Sequence, residues 1–407
     1  MNATAQAATI TAAGQLGDII GRRKVMLTGF VLFAISSVII ALGDSVAEAI
    51  AGRAFQGLSA ALIVPGTLSL LNVAIEPERR TWAIGIWSGI VGLGFAIGPI
   101  LGGVITQTLG WQWLWWLNLP VVLVSFILVR AWLAESRDPA APKIDFFGVA
   151  LFSVSIFLLI LAIVEGPGWG FDSPETIGAF AGAALLAIVF VVWEQRVEAP
   201  LMHLSHFRKL AFVEANIGTL LISAALFGGS YYINLYLQNP LGFDLSAVKA
   251  GVAIAPMALA FFLCSLRTGK IAERHGSKLP ILLGFALSAV GFAVMVLVGG
   301  DSDYVVLGPA LVLIGVGVGL ATGPTSAVGI SAVSDDKAGE ASGVINMFRY
   351  LGGGLGIAIA GVLFVGGATN SFNDRIGSSG ASAGQERAID AAIAGSKAAL
   401  SAETRAL

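Results

Sequence analysis

Apolar residues in this chain come in runs too continuous for one face of a soluble helix or strand. Eleven runs come close to or exceed the roughly 20 residues that a helix needs to cross a bilayer's hydrocarbon core. They fall near Val25–Gly43, Ala47–Val73, Trp82–Thr106, Trp113–Leu133, Phe147–Val164, Ile177–Trp193, Leu210–Leu237, Val248–Leu266, Leu279–Val298, Val305–Ala321 and Ala341–Val365. Lipid offers no hydrogen bonds to the backbone, so each run predicts a helix. Polar interruptions between them are short, apart from Ala134–Asp145 (AESRDPAAPKID) and Glu194–Lys209. The two spans between these interruptions, 147–164 and 177–193, share no motif with the rest. The expected fold class is an all-α polytopic membrane protein.

Among the polar positions, one turn organises the chain: Gly14-Gln-Leu-Gly-Asp18-Ile-Ile-Gly21-Arg22-Arg23-Lys24. Its glycines permit a tight reversal with positive φ, and Asp18 lies four residues before Arg22, within ion-pair reach on a helix. The spacing returns at Gly269, Glu273, Gly276 and Lys278. Two copies in one register point to an internal duplication.

Such a basic cluster is too costly to bury in lipid and marks the cytoplasmic side. With that orientation, alternate loops collect Arg22–Lys24, Arg79, Arg80, Arg130, Arg137, Lys143, Arg196, Arg208, Lys209, Arg267, Lys270, Arg274, Lys278 and Lys337, and the opposite loops hold only Lys249. Composition agrees: of 407 residues, 56% are hydrophobic and 12% charged, against about 25% charged in a soluble domain. The net charge of −2 gives no sign of a nucleic-acid partner, and a single cysteine, Cys264, excludes a disulfide framework. The first thirteen residues lack a basic region and an apolar core, so no signal peptide is expected. The Gly/Ser/Ala-rich stretch after Val365 is not apolar enough to cross again. It reads as an extracytoplasmic tail with an amphipathic segment around Gln385–Leu400.

Several polar residues lie inside the runs. Arg53, in Arg53-Ala-Phe-Gln56-Gly57, faces either a bundle interior or, by snorkelling, the outer interface. Gly94, Gly98, Pro99, Gly102 and Gly103 put a proline and four glycines in one span, for a kink and for close helix approach. That kink is either static packing or a bend used in gating. Trp111, Trp113, Trp115 and Trp116 read as an interfacial aromatic belt, with Asn118 and Pro120 at the mouth. Glu214, Asn216, Tyr232, Asn234, Tyr236 and Gln238 in one span, and Asn346 with Arg349 on one face of the last, suggest a cavity for amphipathic molecules. Glu214 is either an interfacial carboxylate or a proton carrier. His203 and His206 have metal-ligand spacing but no third ligand nearby in sequence, so no metal site is expected. There is no P-loop and no nucleophile–base pair, so neither an enzyme nor a cofactor is expected.

In this order the motifs resemble those of the major facilitator superfamily and, within it, the fourteen-span drug:proton antiporters. Gly14–Lys24 is similar to the family's G-x-L-x-D-x-x-G-R-R/K turn between the second and third spans. Arg53-x-x-Gln56-Gly57 is similar to the fourth-span motif associated with proton coupling, and Gly94-x-x-x-Gly98-Pro99-x-x-Gly102-Gly103 to the antiporter motif of the fifth. Glu78-Arg79-Arg80, Trp111-x-Trp113 with Asn118-x-Pro120, Asp145-x-x-Gly148 and Leu235-Tyr-Leu-Gln238 also fit, and the resemblance covers residues 14–366. It implies two helical bundles with two extra central helices. The N-terminal bundle would be 1–133, with its first span missing and its second partial. Linkers and extra helices would occupy 134–204, the C-terminal bundle 205–366, and a tail lacking the last span 367–407.

The implied activity is proton-coupled antiport exporting hydrophobic or cationic small molecules, in the inner membrane of a bacterium. Partners would be the substrate, protons and lipid, with a periplasmic adaptor protein as a further candidate and a monomer as the expected state. Alternatives are an exporter of one metabolite or siderophore, or a non-transporting truncated remnant.

Overall fold

The computed structural model describes residues 13, 16–17, 19–76, 90, 93–94, 97–137, 145–198, 200–239, 242–296, 304–334 and 337–378. Within them the chain is helical, with no strand. The helices are α1 Arg22–Leu42, α2 Val46–Ala74, α3 at 97–108, α4 Trp113–Trp132, α5 Phe146–Trp169, α6 Pro174–Glu194, α7 Leu210–Gln238, α8 Ala247–His275, α9 Lys278–Met295, α10 Tyr304–Ser331 and α11 Ala338–Ser378. Among the described residues, nine are long and apolar enough to cross a membrane. α11 runs past the predicted end at Val365, because no proline interrupts the sequence up to Ser378.

Local chemistry sets several starts. Asp145 caps α5 by accepting the Gly148 N–H at 2.9 Å, and Ser173, followed by Pro174, caps α6 through Thr176 N–H. α1 begins at Gly21, whose φ of +119° suits glycine far better than an L side chain.

α1 packs on α2 and α4, while α7 to α11 pack among themselves with α10 at their centre. α5 pairs with α6 and docks against α11. Large apolar side chains left exposed, such as Val121, Val124, Leu185 and Ile188, suit a lipid surround. The starts of α1, α7 and α11 lie at one end with the finishes of α4, α6 and α10. There Arg22 meets Ser136, Lys209 Nζ donates to the Ala332 carbonyl, and a buried cluster joins Ala13 and Ala61 to Leu201, Phe212, Val333 and Ala341.

Small residues let the helices touch. α7 and α11 run side by side, with Gly352 against Leu220, Gly356 against Ala224, and Gly228 against Gly356. A Cβ built at Gly356 would collide with the Ala224 carbonyl oxygen, and backbone cannot rotate away. Overpacking costs about 1–3 kcal/mol where side chains can yield and more where they cannot. Gly356→Leu should therefore lower the detergent melting temperature and membrane yield sharply. Gly269→Leu, where nothing among the described residues lies within 4 Å of a built Cβ, should change neither.

Candidate functional site

The first polar cluster joins three helices of the N-terminal half. On α2, Arg53 and Gln56 are three residues apart and share a face. Arg53 Nη1 donates to Gln56 Oε1 at 3.4 Å, and its guanidinium sits 4.5 Å from the centroid of the Trp115 ring on α4. Gln56 is buried, and its Nε2 donates to Ser37 Oγ on α1 at 3.5 Å. Asn118 Nδ2, on α4, donates to the same hydroxyl at 3.2 Å. The arginine's charge is thus met by an amide oxygen and an aromatic face. Among the described residues no carboxylate forms an ion pair with it. Gly57 is buried one turn further on.

Sequence reasoning named Gln56 but missed Ser37, a hydroxyl inside an apolar run, and assigned Trp115 to an interfacial belt. Trp111 and Trp113 are exposed as a belt requires, but Trp115 is drawn inward onto Arg53.

A parallel arrangement stands in the C-terminal half. Arg349 on α11 donates through Nη1 to Asn346 Oδ1 and through Nη2 to Ser326 Oγ of α10, both at 2.8 Å. Its buried Nε has no hydrogen-bond partner among the described residues. The shared face of Asn346 and Arg349 was legible, and Ser326 was not. Each half therefore holds one arginine among neutral partners, with an amide three residues away.

The remaining α7 residues do not converge on one point. From Glu214 to Gln238 is about 36 Å of helix at 1.5 Å per residue, so they can line a path but not a single pocket. Glu214 is exposed one turn into the helix, while Asn216 is buried and donates to the Phe212 carbonyl. Tyr232 presses its hydroxyl on Gly361 of α11. Asn234 and Gln238 hydrogen-bond to each other, and Tyr236 stacks edge-on to Phe243 with centroids 5.7 Å apart.

The proline–glycine helix α3 meets α8 across the two halves. A Cβ at Gly103 would overlap the Ala247 carbonyl, and one at Gly251 would lie 2.5 Å from the Pro99 carbonyl oxygen. Gly102 has only ordinary contact with Leu114. At Gly94 and Gly98 no atom of the described residues lies within 4 Å of a built Cβ, so no close approach is seen there. Successive helical residues turn by about 100°, which places 98 on a different face of α3 from 99 and 103. Gly251 had no signal beyond being a glycine in a span.

At the basic end, Gly21 lies against Glu135, which accepts the Arg23 N–H at 3.0 Å. Arg23 Nη1 donates to the Leu133 carbonyl at 2.8 Å, and the Arg22 N–H donates to the Ser136 carbonyl at 2.9 Å. The turn thereby grips the end of α4, a contact sequence reasoning missed. Gly14 and Asp18, with the proposed Asp18–Arg22 pair, lie outside the described residues. In the second copy Gly276 reverses the chain, with φ +78°, matching Gly21, while Gly269 lies within α8.

One absence expected from sequence needs correction. A third ligand for His203 and His206 does exist: Glu340, at the start of α11, lies with them so that one ligand atom from each falls within 4.8 Å of the others. The separation of 137 residues hid it.

The comparisons with known proteins agree with this architecture. The family model described as Major Facilitator Superfamily matches residues 1–357. The tetracenomycin C resistance and export protein of Streptomyces glaucescens is 34% identical over 372 residues, covering 91% of this chain and 69% of that protein. The multidrug resistance protein Stp of Mycobacterium tuberculosis (strain ATCC 25618 / H37Rv) is 33% identical over 353 residues, covering 86% of this chain and 65% of Stp. The chain thus spans about two thirds of these relatives' length. A crystal structure of a POT family transporter in complex with 5-aminolevulinic acid superposes with a TM-score of 0.64 at 17% identity, over 91% of this chain and 82% of the other, a likeness of fold alone. With helices long enough to span a bilayer and an arginine cluster in each half, the chain is a multi-pass membrane protein and a transporter, not an enzyme, and it belongs to the major facilitator superfamily.

Proposed function

We propose that this protein is a proton-coupled antiporter that exports hydrophobic or cationic small molecules by alternating access. The observation that carries the reading is Arg53, a fixed charge on α2, a run predicted from sequence to span the membrane. It is open on one side and held on the other by Gln56 and the Trp115 face, with Ser37 and Asn118 bracing Gln56. A charged side chain within a span is expensive and marks an ion or substrate path. Arginine stays protonated at any physiological pH, so it does not carry the proton. Its role is to favour the ionised form of a carboxylate that approaches it and so drive proton release. The relatives' names, which speak of export and multidrug resistance, support the cargo class. In this reading the end bearing Arg22, Arg23 and Lys209 faces the cytoplasm of a bacterial cell.

The full chain, expressed in a pump-deficient bacterium, should extrude a cationic dye such as ethidium, and an uncoupler should abolish the extrusion. Extrusion that survives the uncoupler would refute proton coupling. Failure to extrude any member of a panel of cationic dyes and apolar antibiotics would refute the cargo class.

A further inference from the structure

We propose that His203, His206 and Glu340 form a binding site for a divalent transition-metal ion of the zinc type, joining the segment between α6 and α7 to the first turn of α11. This goes beyond the transport reading and does not depend on it. His203 precedes, and His206 lies within, the short 3₁₀ helix Leu204–Arg208. Glu340 comes from the far end of the sequence. His203 Nδ1 is 2.8 and 2.9 Å from the two Glu340 oxygens, and His206 Nε2 is 3.5 Å from the nearer one. A tetrahedral ion at about 2.0–2.1 Å from its ligands holds them about 3.3 Å apart, so these separations bracket what zinc needs.

A second observation points the same way. His206 Nε2 is buried and has no hydrogen-bond partner among the described residues. Buried polar atoms are almost always satisfied, so an orphan nitrogen aimed at a carboxylate needs an explanation. A His203–Glu340 hydrogen bond would account for one histidine and leave the other unpaired. A cation on all three satisfies both rings and the carboxylate together.

The surroundings hold the ligands in place. The His206 ring packs edge-on to Phe212 with centroids 5.7 Å apart, and Phe207 packs on Phe212 at 5.2 Å. Glu194 accepts the N–H groups of Leu201 and Met202, the two residues before His203, at 3.1 and 3.4 Å. These contacts fix the His206 ring and the backbone that leads into His203. The His203 side chain is 39% exposed and those of His206 and Glu340 are 12% and 16% exposed, so one ligand is open to an arriving ion and two form a closed wall. Two imidazoles and one carboxylate favour zinc and its neighbours over magnesium or calcium, and leave a fourth position for water.

The test uses the full chain in detergent with a purification tag free of histidine. The chain has three histidines in all, so His275 is the only other imidazole. Titration of ZnCl2 against a chromophoric chelator should show one ion bound per chain, uncontested by MgCl2, with a melting temperature that rises on zinc addition. His206→Gln and Glu340→Gln should each weaken binding by about a hundredfold or more, beyond the 10–100-fold loss typical of an outer-shell change. His275→Gln should bind as wild type does. CoCl2 added to the wild-type protein should give the strong visible absorption of a four-coordinate ion, a readout that needs no variant to fold. No binding, a weak six-coordinate cobalt spectrum, or unchanged binding in the His203→Asn/His206→Gln double variant would overturn the proposal.

Discussion

Gly103→Leu should abolish transport while leaving the protein in the membrane at wild-type level. A Cβ at this position already overlaps the Ala247 carbonyl and lies 2.9 Å from Val248 Cα, so a leucine must push α3 and α8 apart. These helices lie on opposite sides of the linker, and alternating access needs the two halves to part and rejoin. The clash is with backbone, so the about 1–3 kcal/mol of ordinary overpacking is a lower bound, and the population with this seam closed should fall by at least about 5- to 150-fold. Folding should suffer less, because helices within each half keep their own contacts, among them Gly29 on Ile63 and Gly284 on Ala321. Gly98→Leu is the control: it stands on the same helix with nothing among the described residues within 4 Å. Efflux rates normalised to the amount of protein in the membrane would decide the matter. Normal efflux by Gly103→Leu would show that the α3–α8 contact is not part of the cycle.

What could be read from sequence, and what could not, divides by the range of the interaction. Every described run predicted as a span is a helix, because hydropathy and backbone satisfaction act along a single segment. The same holds for pairs one turn apart, such as Arg53 with Gln56 and Asn346 with Arg349. Gly21 and Gly276 were legible as reversal points for a similar reason, since positive φ is a local property. Contacts between segments were not. Trp115 reaches Arg53, and Ser37 with Asn118 joins Gln56, only once α1 and α4 pack beside α2, and nothing in an apolar run singles out one serine. Gly94 and Gly98 looked equivalent to Gly103 because a one-dimensional motif does not say which face meets a neighbour. Glu340 is the sharpest case: its link to His203 spans 137 residues, and no periodicity connects them.

Arg53→Ala should reduce dye efflux to background without reducing the amount of folded protein. Inserting an arginine costs about 2.5–3.5 kcal/mol at a helix centre and less toward an end. Arg53 lies two turns into α2, so its removal relieves a smaller cost and should leave stability unchanged or slightly raised. The functional loss has a separate origin. Alanine removes the fixed charge that favours release of a proton from an approaching carboxylate, and uncouples Gln56 from Trp115. Arg53→Lys isolates the geometry from the charge. Lysine keeps a positive point charge but lacks the planar guanidinium that lies 4.5 Å over Trp115 and also reaches Gln56. A cation–π contact is worth about 0.5–2 kcal/mol, so the lysine variant should retain between a thirtieth and a half of wild-type efflux. Trp115→Phe, which keeps an aromatic face, should lose less than Trp115→Ala. The measurements are uncoupler-sensitive efflux in cells and the melting temperature in detergent for all four variants. If Arg53→Ala exports dye at the wild-type rate, the arginine is a tolerated passenger and the proton-coupling role falls. If it fails to fold, Arg53 is a structural brace between α2 and α4, and its loss of efflux carries no information about coupling.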